Sequence, residues 1–581
     1  MVMESIKQAI EGALTKLGIK NPDVSLEHPA ELSHGDYSTN AALRYAKELK
    51  MKPWELAERL LQGLTLNLQK GQTFIERIEI AGTGFINFRL SPEFFAERIQ
   101  EILEKKDSFG GSDIGRGKKV IVEFSSPNIA KPFTIGHLRS TIIGDAVAKT
   151  LYFLGFSVIR DNHLGDWGTQ FGKMIVAIKK WGNVQKIAVS PSPVRALVDL
   201  YVRFHAEAKA SHALEDEARE WFVKLEKGDA EARDFWKQCV AWSMKEFEAL
   251  YKRLGVLFDT MHGESFFEDK MQVVVAELEQ KKLLKESEGA RLVFFPEEIF
   301  PPLMIVKKDG GTLYATRDLA TDAWRKKEYG DGVIIINETG GEQSLYFRQI
   351  FMLEEMLGWF KQGERVHIGH GLTRGKEGKM STREGNTIWL EEVLDEAVKR
   401  ARAINKETAE IVGIGALKFN DLKREAKQDI VFDWNDLLNM KGDSGPYLQY
   451  SYARACSVLR KADAALRGTA FSKVLGNARV ASMRPLAPDI LKMRSASSVT
   501  MLERLLYRFP EIVERSGMDY APHFIATYLI ELAGAFNNWY AKERILDAGE
   551  ETEYRLALTA AFAQVMKNGL WLLGIAAPEK M

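Results

Sequence analysis

Between Lys118 and Gly172 the chain switches conformation in a pattern that few folds allow. Lys118-Lys119-Val120-Ile121-Val122-Glu123-Phe124 is an apolar, β-branched run bounded by polar residues, which predicts a buried strand. Ser125-Ser126-Pro127-Asn128 and Lys131-Pro132 end it, since each proline lacks an N–H and restricts the residue before it. The loop closes at Thr134-Ile135-Gly136-His137. From Leu138 the positions Leu138, Ile142, Ala146, Thr150 and Leu154 recur every four residues, one face of a helix that stops at Gly155. A second strand is predicted from Ser157 to Asp161. Strand, helix and strand so close together make a βαβ unit, with a right-handed crossover and its ligand beyond the carboxyl end of the first strand.

That topology gives the loop its chemistry. Unpaired N–H groups and the positive dipole end at the helix start form a seat for phosphate oxygens. Gly136 allows close approach because it has no Cβ. His137 is a donor beside the bound phosphates; a histidine bonded to backbone at a helix start is the plainer reading of the residue alone.

With 581 residues the chain is long enough for three or four domains, since single cores seldom exceed about 250 to 300 residues. Apolar residues at 45% and charged at 28% are ordinary for a water-soluble protein, and no run reaches bilayer length. The start, with Glu4, Lys7, Glu11 and Lys16 in an amphipathic pattern, lacks the layout of a signal peptide, so a cytoplasmic location is expected. Cys239 and Cys456 support neither a disulfide framework nor a cysteine zinc cluster, and no metal ligand set is expected. Net charge is zero, from 80 basic and 80 acidic residues, yet Ser451 to Pro510 holds eleven Lys and Arg against three acidic residues. A local excess of plus eight suits either a phosphate backbone or a solvated helix face.

Residues 1–112 read as an α+β module: helices near Ile6 to Leu17, Ala41 to Leu49 and Trp54 to Leu64, then a hairpin of Phe74 to Ile80 and Phe85 to Leu90 around Gly82-Thr83-Gly84. Residues 113–388 form the nucleotide-binding region. About 180–290 is a charged helical insertion, and its aromatic stripe reads as core. The sheet is expected to resume at Leu303 to Lys307, return through Leu313-Tyr314-Ala315, and alternate with helices from Asp318 and Glu342 and strands at Gly332 to Asn337 and Arg365 to Ile368. Gly375 to Asn386 is a glycine-rich loop whose Lys379 and Arg383 seek anions. Residues 389–581 are helical, and Pro446 to Leu466 interleaves tyrosine with arginine as a base-stacking surface does.

Ser125-Ser126-Pro127-Asn128, Ala130-Lys131-Pro132, Ile135-Gly136-His137-Leu138-Arg139-Ser140-Thr141, Ile143-Gly144-Asp145 and Asn162 to Gly172 resemble the His-Ile-Gly-His region of class I aminoacyl-tRNA synthetases, and within them the arginyl-tRNA synthetases. Thr134 stands where the signature has its first histidine, keeping a hydroxyl but losing reach and charge. Gly375 to Asn386, with Lys379-Met380-Ser381, resembles the second signature, Lys-Met-Ser-Lys-Ser; Thr382 replaces its second lysine, and Lys131 occupies the place thought to substitute for it. His34-Gly35-Asp36-Tyr37 with Gly84 to Phe88 resembles the family's amino-terminal domain, which meets the tRNA elbow. Trp571 to Met581 matches its carboxyl terminus.

The resemblance implies a Rossmann-like α/β catalytic domain with a parallel sheet, an N-terminal α+β domain and an all-α C-terminal anticodon-binding domain. It implies ATP with Mg2+, L-arginine and tRNA(Arg) as partners, no membrane, and a monomer. His137, Lys131, Lys379 and Thr134 would carry the chemistry, and Gly136, His137, Gly144, Asp145, Lys379, Met380 and Ser381 would bind ATP. Glu123, Ser126, Asn128, Tyr314, Asp318 and Gln343 would bind arginine; Asn87, Tyr447, Arg454, Tyr540 and Met581 would bind tRNA. From its own surroundings alone Asp318, expected to begin a helix, reads as an N-cap, and the resemblance is what favours the arginine role. A nucleotidyl transferase without tRNA and an RNA-binding paralogue with a decayed site are the competing readings.

Overall fold

The computed structural model describes residues 2–29, 31–68, 74–308, 310–375, 378–379, 388–465 and 499–581. They pack as two compact units. One comprises Met1–Phe109, Arg454–Phe509 and Glu531–Met566, the other Gly110–Ala453, Pro510–Ile530 and Lys567–Met581.

In the first unit the expected hairpin forms from Ile75–Ala81 and Phe85–Leu90, and a third antiparallel strand, Tyr37–Thr39, joins it. Helices Val2–Lys16 and Pro53–Leu68 pack nearby, their apolar spacing giving each a buried face. Tyr507, from the far end of the sequence, fills the same core beside Phe94 and Phe95. Asp36 there is fully buried and pairs with Arg504.

In the second unit four strands form a wholly parallel sheet in the order Arg365–His370, Ile334–Gly340, Lys119–Glu123, Ser157–Asp161. The first strand in sequence is therefore central. The chain leaves it to one side and later returns on the other, so the crevice beyond Glu123 is a switch point where ligands bind in such sheets. Helix Ile135–Phe153 follows this strand. It is buried on nearly every side, beyond the single stripe its periodicity suggested. A Cβ on Gly144 would lie 2.2 Å from Phe124, so glycine lets this helix seat against the end of the strand.

Two expectations change here. Leu303–Val306 does not extend the parallel sheet; it pairs antiparallel in a separate meander with Leu284–Ser287 and Ala290–Val293. Tyr314 and Asp318 both lie in one helix, Tyr314–Tyr329, whose N-cap is Leu313. The run through Leu313-Tyr314-Ala315 has strand-like composition, but Ala315 and Leu319 pack into the core at helical spacing and decide the conformation. The insertion is helical as expected, through Pro193–Ala208, His212–Glu226 and Ala230–Leu254. Gly468 to Ser498, expected to be loop or short helices, lies outside the described residues.

Candidate active site at the carboxyl edge of the parallel sheet

The loop after the first strand is bent sharply. Ser125, Ser126 and Ala130 have positive φ angles of 72°, 42° and 57°, conformations that side-chain-bearing residues hold only when their surroundings enforce them. Those surroundings are identifiable. The Ser125 N–H donates to Ser140 Oγ at 2.9 Å and the Ser126 N–H to Asn162 Oδ1 at 3.2 Å. Tyr251, on the long insertion helix, shares a hydrogen bond with Ser125 Oγ at 2.9 Å, and Ser243 Oγ on the same helix accepts from the Ala130 N–H at 2.9 Å. Ser126 Oγ is buried with no hydrogen-bond partner among the described residues. Asn128 packs so closely on Gly165 that a Cβ there would lie 2.4 Å from Asn128 Oδ1.

At the helix start Thr134 and His137 act on one another. The Thr134 N–H donates to His137 Nδ1 at 3.0 Å, and the Thr134 hydroxyl lies 3.0 Å from the same nitrogen. A backbone N–H can only donate, so Nδ1 accepts and the neutral ring carries its proton on Nε2. Burial, helped by the nearby charges of His370 and Lys131, pushes His137 down to about 4. The ring is thus a neutral donor at physiological pH. Gly136 is exposed beside it. Lys131 is partly buried, which lowers its pKa.

A second group of residues at the same edge suits a cation. Asp318 sits a full turn inside its helix, which rules out the capping role, and its carboxylate accepts from the Tyr346 hydroxyl. Burial raises it to about 6; the Tyr346 hydrogen bond and His163 pull the other way, while Glu123 and Asp322 add to the rise. Tyr314 stands 59% exposed, its ring 5.0 Å from that of Tyr346. Glu123 is buried and lies 2.6 Å from Arg325. Burial opposes its charge, but Arg325 outweighs this and holds the carboxyl below its ordinary range. Arg325 also bonds Asp161 and Asp322, and Asp322 bonds Arg365 at 2.7 Å.

Other expected residues are placed elsewhere. Gly144 meets Phe124, as described, and not the loop that would hold phosphate. Asp145 is buried and bonded to Lys149 at 2.6 Å, beside Gly574, because it lies two turns further along the helix than His137. Gln343 is exposed at the start of helix Ser344–Met356. Asn87 is buried, its amide oxygen accepting from Ser38 at 2.7 Å across the paired strands. Met581 packs on the cluster of Val398, Ala401, Ala409 and Val412. Arg454 and Tyr540 do meet, the guanidinium 5.2 Å from the ring centroid. Tyr447 opens helix Gly445–Ala465 and is partly buried. The backbone at Lys379 pairs with Arg374 in a short hairpin, while Met380 and Ser381 lie outside the described residues.

Arg139, within the first motif, joins that motif to the second. It is buried and bonds the carbonyls of Gly371 and Gln428 at 2.8 Å and of Ala426 at 3.0 Å. Thr373–Gly375, which leads into the second glycine-rich loop, pairs with Ile430–Val431. The first motif thus fastens the base of the second. Tyr251, Ser243 and Tyr346 were also missed. The faint signal was a polar atom at each of Ser243 and Tyr251, in register with Phe247 on an otherwise apolar stripe.

A parallel sheet with a helix opening at its switch point is the architecture of a nucleotide-binding α/β domain. Residues 98–434 match the family described as tRNA synthetases class I (R), catalytic domain; 4–90 match the arginyl tRNA synthetase N terminal domain, and 448–581 the DALR anticodon binding domain. The chain belongs to the arginyl-tRNA synthetases. Arginine–tRNA ligase of Halothermothrix orenii is 38% identical over all of this chain and 99% of its own, and that of Enterococcus faecalis 40% over the same shares. Among solved structures, arginyl-tRNA synthetase of Plasmodium falciparum superposes with a TM-score of 0.80 at 26% identity, covering 100% of this chain and 99% of its own. The Thermus thermophilus enzyme gives 0.79 at 26%, with 100% of both chains covered.

Proposed function

We infer that this chain activates L-arginine with ATP to arginyl-adenylate and transfers the arginyl group to the 3′ end of tRNA(Arg). The observation that carries the reading is the meeting, at one sheet edge, of a donor-rich helix mouth and the Asp318 carboxylate, which forms no ion pair among the described residues. The arginine carboxylate attacks the α-phosphorus of ATP and pyrophosphate leaves; a ribose hydroxyl of tRNA then attacks the acyl carbon and AMP leaves. Positioning and charge stabilisation suffice for this, with no side-chain nucleophile. His137 donates from Nε2 to phosphoryl oxygen, Thr134 fixes its tautomer, and Lys131, Lys379 and the amides at Gly136 supply further positive charge. Asp318 receives the guanidinium, Tyr314 covers it, and Ser126 and Asn128 hold the amino-acid end. Among the described residues no three metal-ligating side chains converge; Mg2+ would arrive on the nucleotide's own phosphates.

Residues 1–112 would meet the tRNA elbow, 113–388 would catalyse and 389–581 would bind the anticodon arm, with Arg454, Tyr540 and Tyr447 toward the RNA. No described helix is long and apolar enough to cross a membrane. A cytoplasmic monomer is the working form in this reading, and light scattering of the purified protein tests the oligomeric state. The decisive test of the site is His137→Ala, expected to slow arginine-dependent activation by about 2 to 4 kcal/mol in barrier with an unchanged melting temperature. Wild-type turnover would remove the helix mouth from the reaction.

A further inference from the structure

Thr134 leaves the helix mouth with one imidazole, and a second imidazole stands against the same helix from another strand. His370 ends the strand Arg365–His370, and its Nδ1 lies 2.7 Å from Glu338 Oε1 on the neighbouring strand. The Glu338 side chain is completely buried, and its Oε2 has no hydrogen-bond partner among the described residues. Two contacts set this pair against the opening turns of the helix that begins at Thr134. Ser140 Oγ donates to the Glu338 carbonyl at 3.2 Å, and Arg139 donates to the carbonyl of Gly371, next to His370, at 2.8 Å. His370 Nε2 makes no hydrogen bond to the described residues.

We propose that His370, held as an imidazolium by Glu338, is a further catalytic residue that donates from Nε2 to an anionic phosphate oxygen of ATP, in place of the imidazole that Thr134 lacks. The proposal rests on the reading of the helix mouth as the ATP site. The charged and titratable groups around His370 agree with it. Burial opposes a proton there and so does Arg139; Glu338 and Asp421 favour one, and the balance lies above the ordinary histidine value. His137 and His367, each pushed by burial to about 4, stay neutral and add no repulsion. The site would thus hold one neutral and one charged imidazole, the charged one suited to oxygen that gains charge as pyrophosphate departs.

The test is arginine-dependent ATP–pyrophosphate exchange from pH 6 to 9, with tRNA present, for His370→Gln, Glu338→Gln and His137→Ala, each with and without Thr134→His. His370→Gln should lower kcat 10- to 100-fold, leave KM for arginine within twofold, and abolish the alkaline fall in kcat that marks loss of the imidazolium. Glu338→Gln should move that fall to lower pH. Thr134→His should recover most of the activity lost in His370→Gln, which a purely structural role would not allow. If His370→Gln fails to fold, His370→Asn combined with Glu338→Gln, a neutral hydrogen-bonding pair, is read in the same way. Wild-type kcat and pH profile in the His370 variant, or a loss that Thr134→His does not recover, overturns the proposal. An unaffected His137→Ala enzyme overturns instead the site reading beneath it.

Discussion

Glu123 and Asp318 are two carboxylates at the same edge of the same sheet, and the protein treats them in opposite ways. Glu123 has an internal guanidinium, Arg325, and its pKa falls below the ordinary range despite burial. Among the described residues Asp318 has the Tyr346 hydroxyl and the nearby His163 but no guanidinium, and its pKa rises to about 6. Arg325 shows what a guanidinium does for a carboxylate in this environment, and Asp318 shows the state of one still without it. A partly buried acid with no ion pair among the described residues is costly to fold, which supports the proposed cationic ligand.

The largest expected effect breaks the satisfied side. Arg325→Met should leave Glu123 and Asp161 without their guanidinium, while Asp322 keeps Arg365, and destabilise the protein by about 3 to 5 kcal/mol, measured by urea denaturation. A loss under 1 kcal/mol would mean the network is not what holds Glu123 down.

Asp318→Asn tests the other side and separates stability from function. A carboxyl whose folded pKa is raised contributes stability at low pH and loses it as pH climbs through the folded value, so at pH 7 Asp318 weakens the fold. Asparagine should therefore raise stability by about 1 to 3 kcal/mol at pH 7 and by less at pH 5. KM for arginine should rise 100-fold or more while KM for ATP stays within twofold. Unchanged arginine kinetics would take Asp318 out of the pocket.

The smaller effects refine the comparison. Arginine needs the ionised carboxylate, so kcat/KM for arginine should fall about tenfold per unit below pH 6 through Asp318. Tyr346→Phe removes the hydrogen bond that favours the anion, and it should shift this acidic limb upward with only a severalfold change in KM at pH 8. A limb that stays in place would assign it to another group.

The first βαβ unit was legible because β-branched runs, prolines and a four-residue apolar repeat are local signals. The helix at Asp318 was misread at its start because Leu313-Tyr314-Ala315 has strand-like composition, and only packing of Ala315 and Leu319 against a distant core resolves it. For the same reason Leu303–Val306 could not be assigned to its antiparallel partners from composition alone. The site was legible in its motif residues but not in their restraints. Tyr251, Tyr346 and Arg325 act through contacts spanning 126, 28 and 164 positions, which no local pattern carries. The burial of Asn87 and the placement of the Asp145 and Lys149 pair beside Gly574 had no local signal either.

Arg139 has a consequence for the birth of the enzyme. Its guanidinium reaches the carbonyl of Gln428, 289 residues downstream. At about 5 to 20 residues per second a ribosome needs roughly 15 to 60 seconds to make that segment. Throughout that interval the helix behind His137 has its apolar faces ready and its latch unmade. The nascent chain therefore offers a long window to chaperones or to aggregation, and slowing translation after residue 139 would lengthen the exposure without altering a single contact of the finished protein.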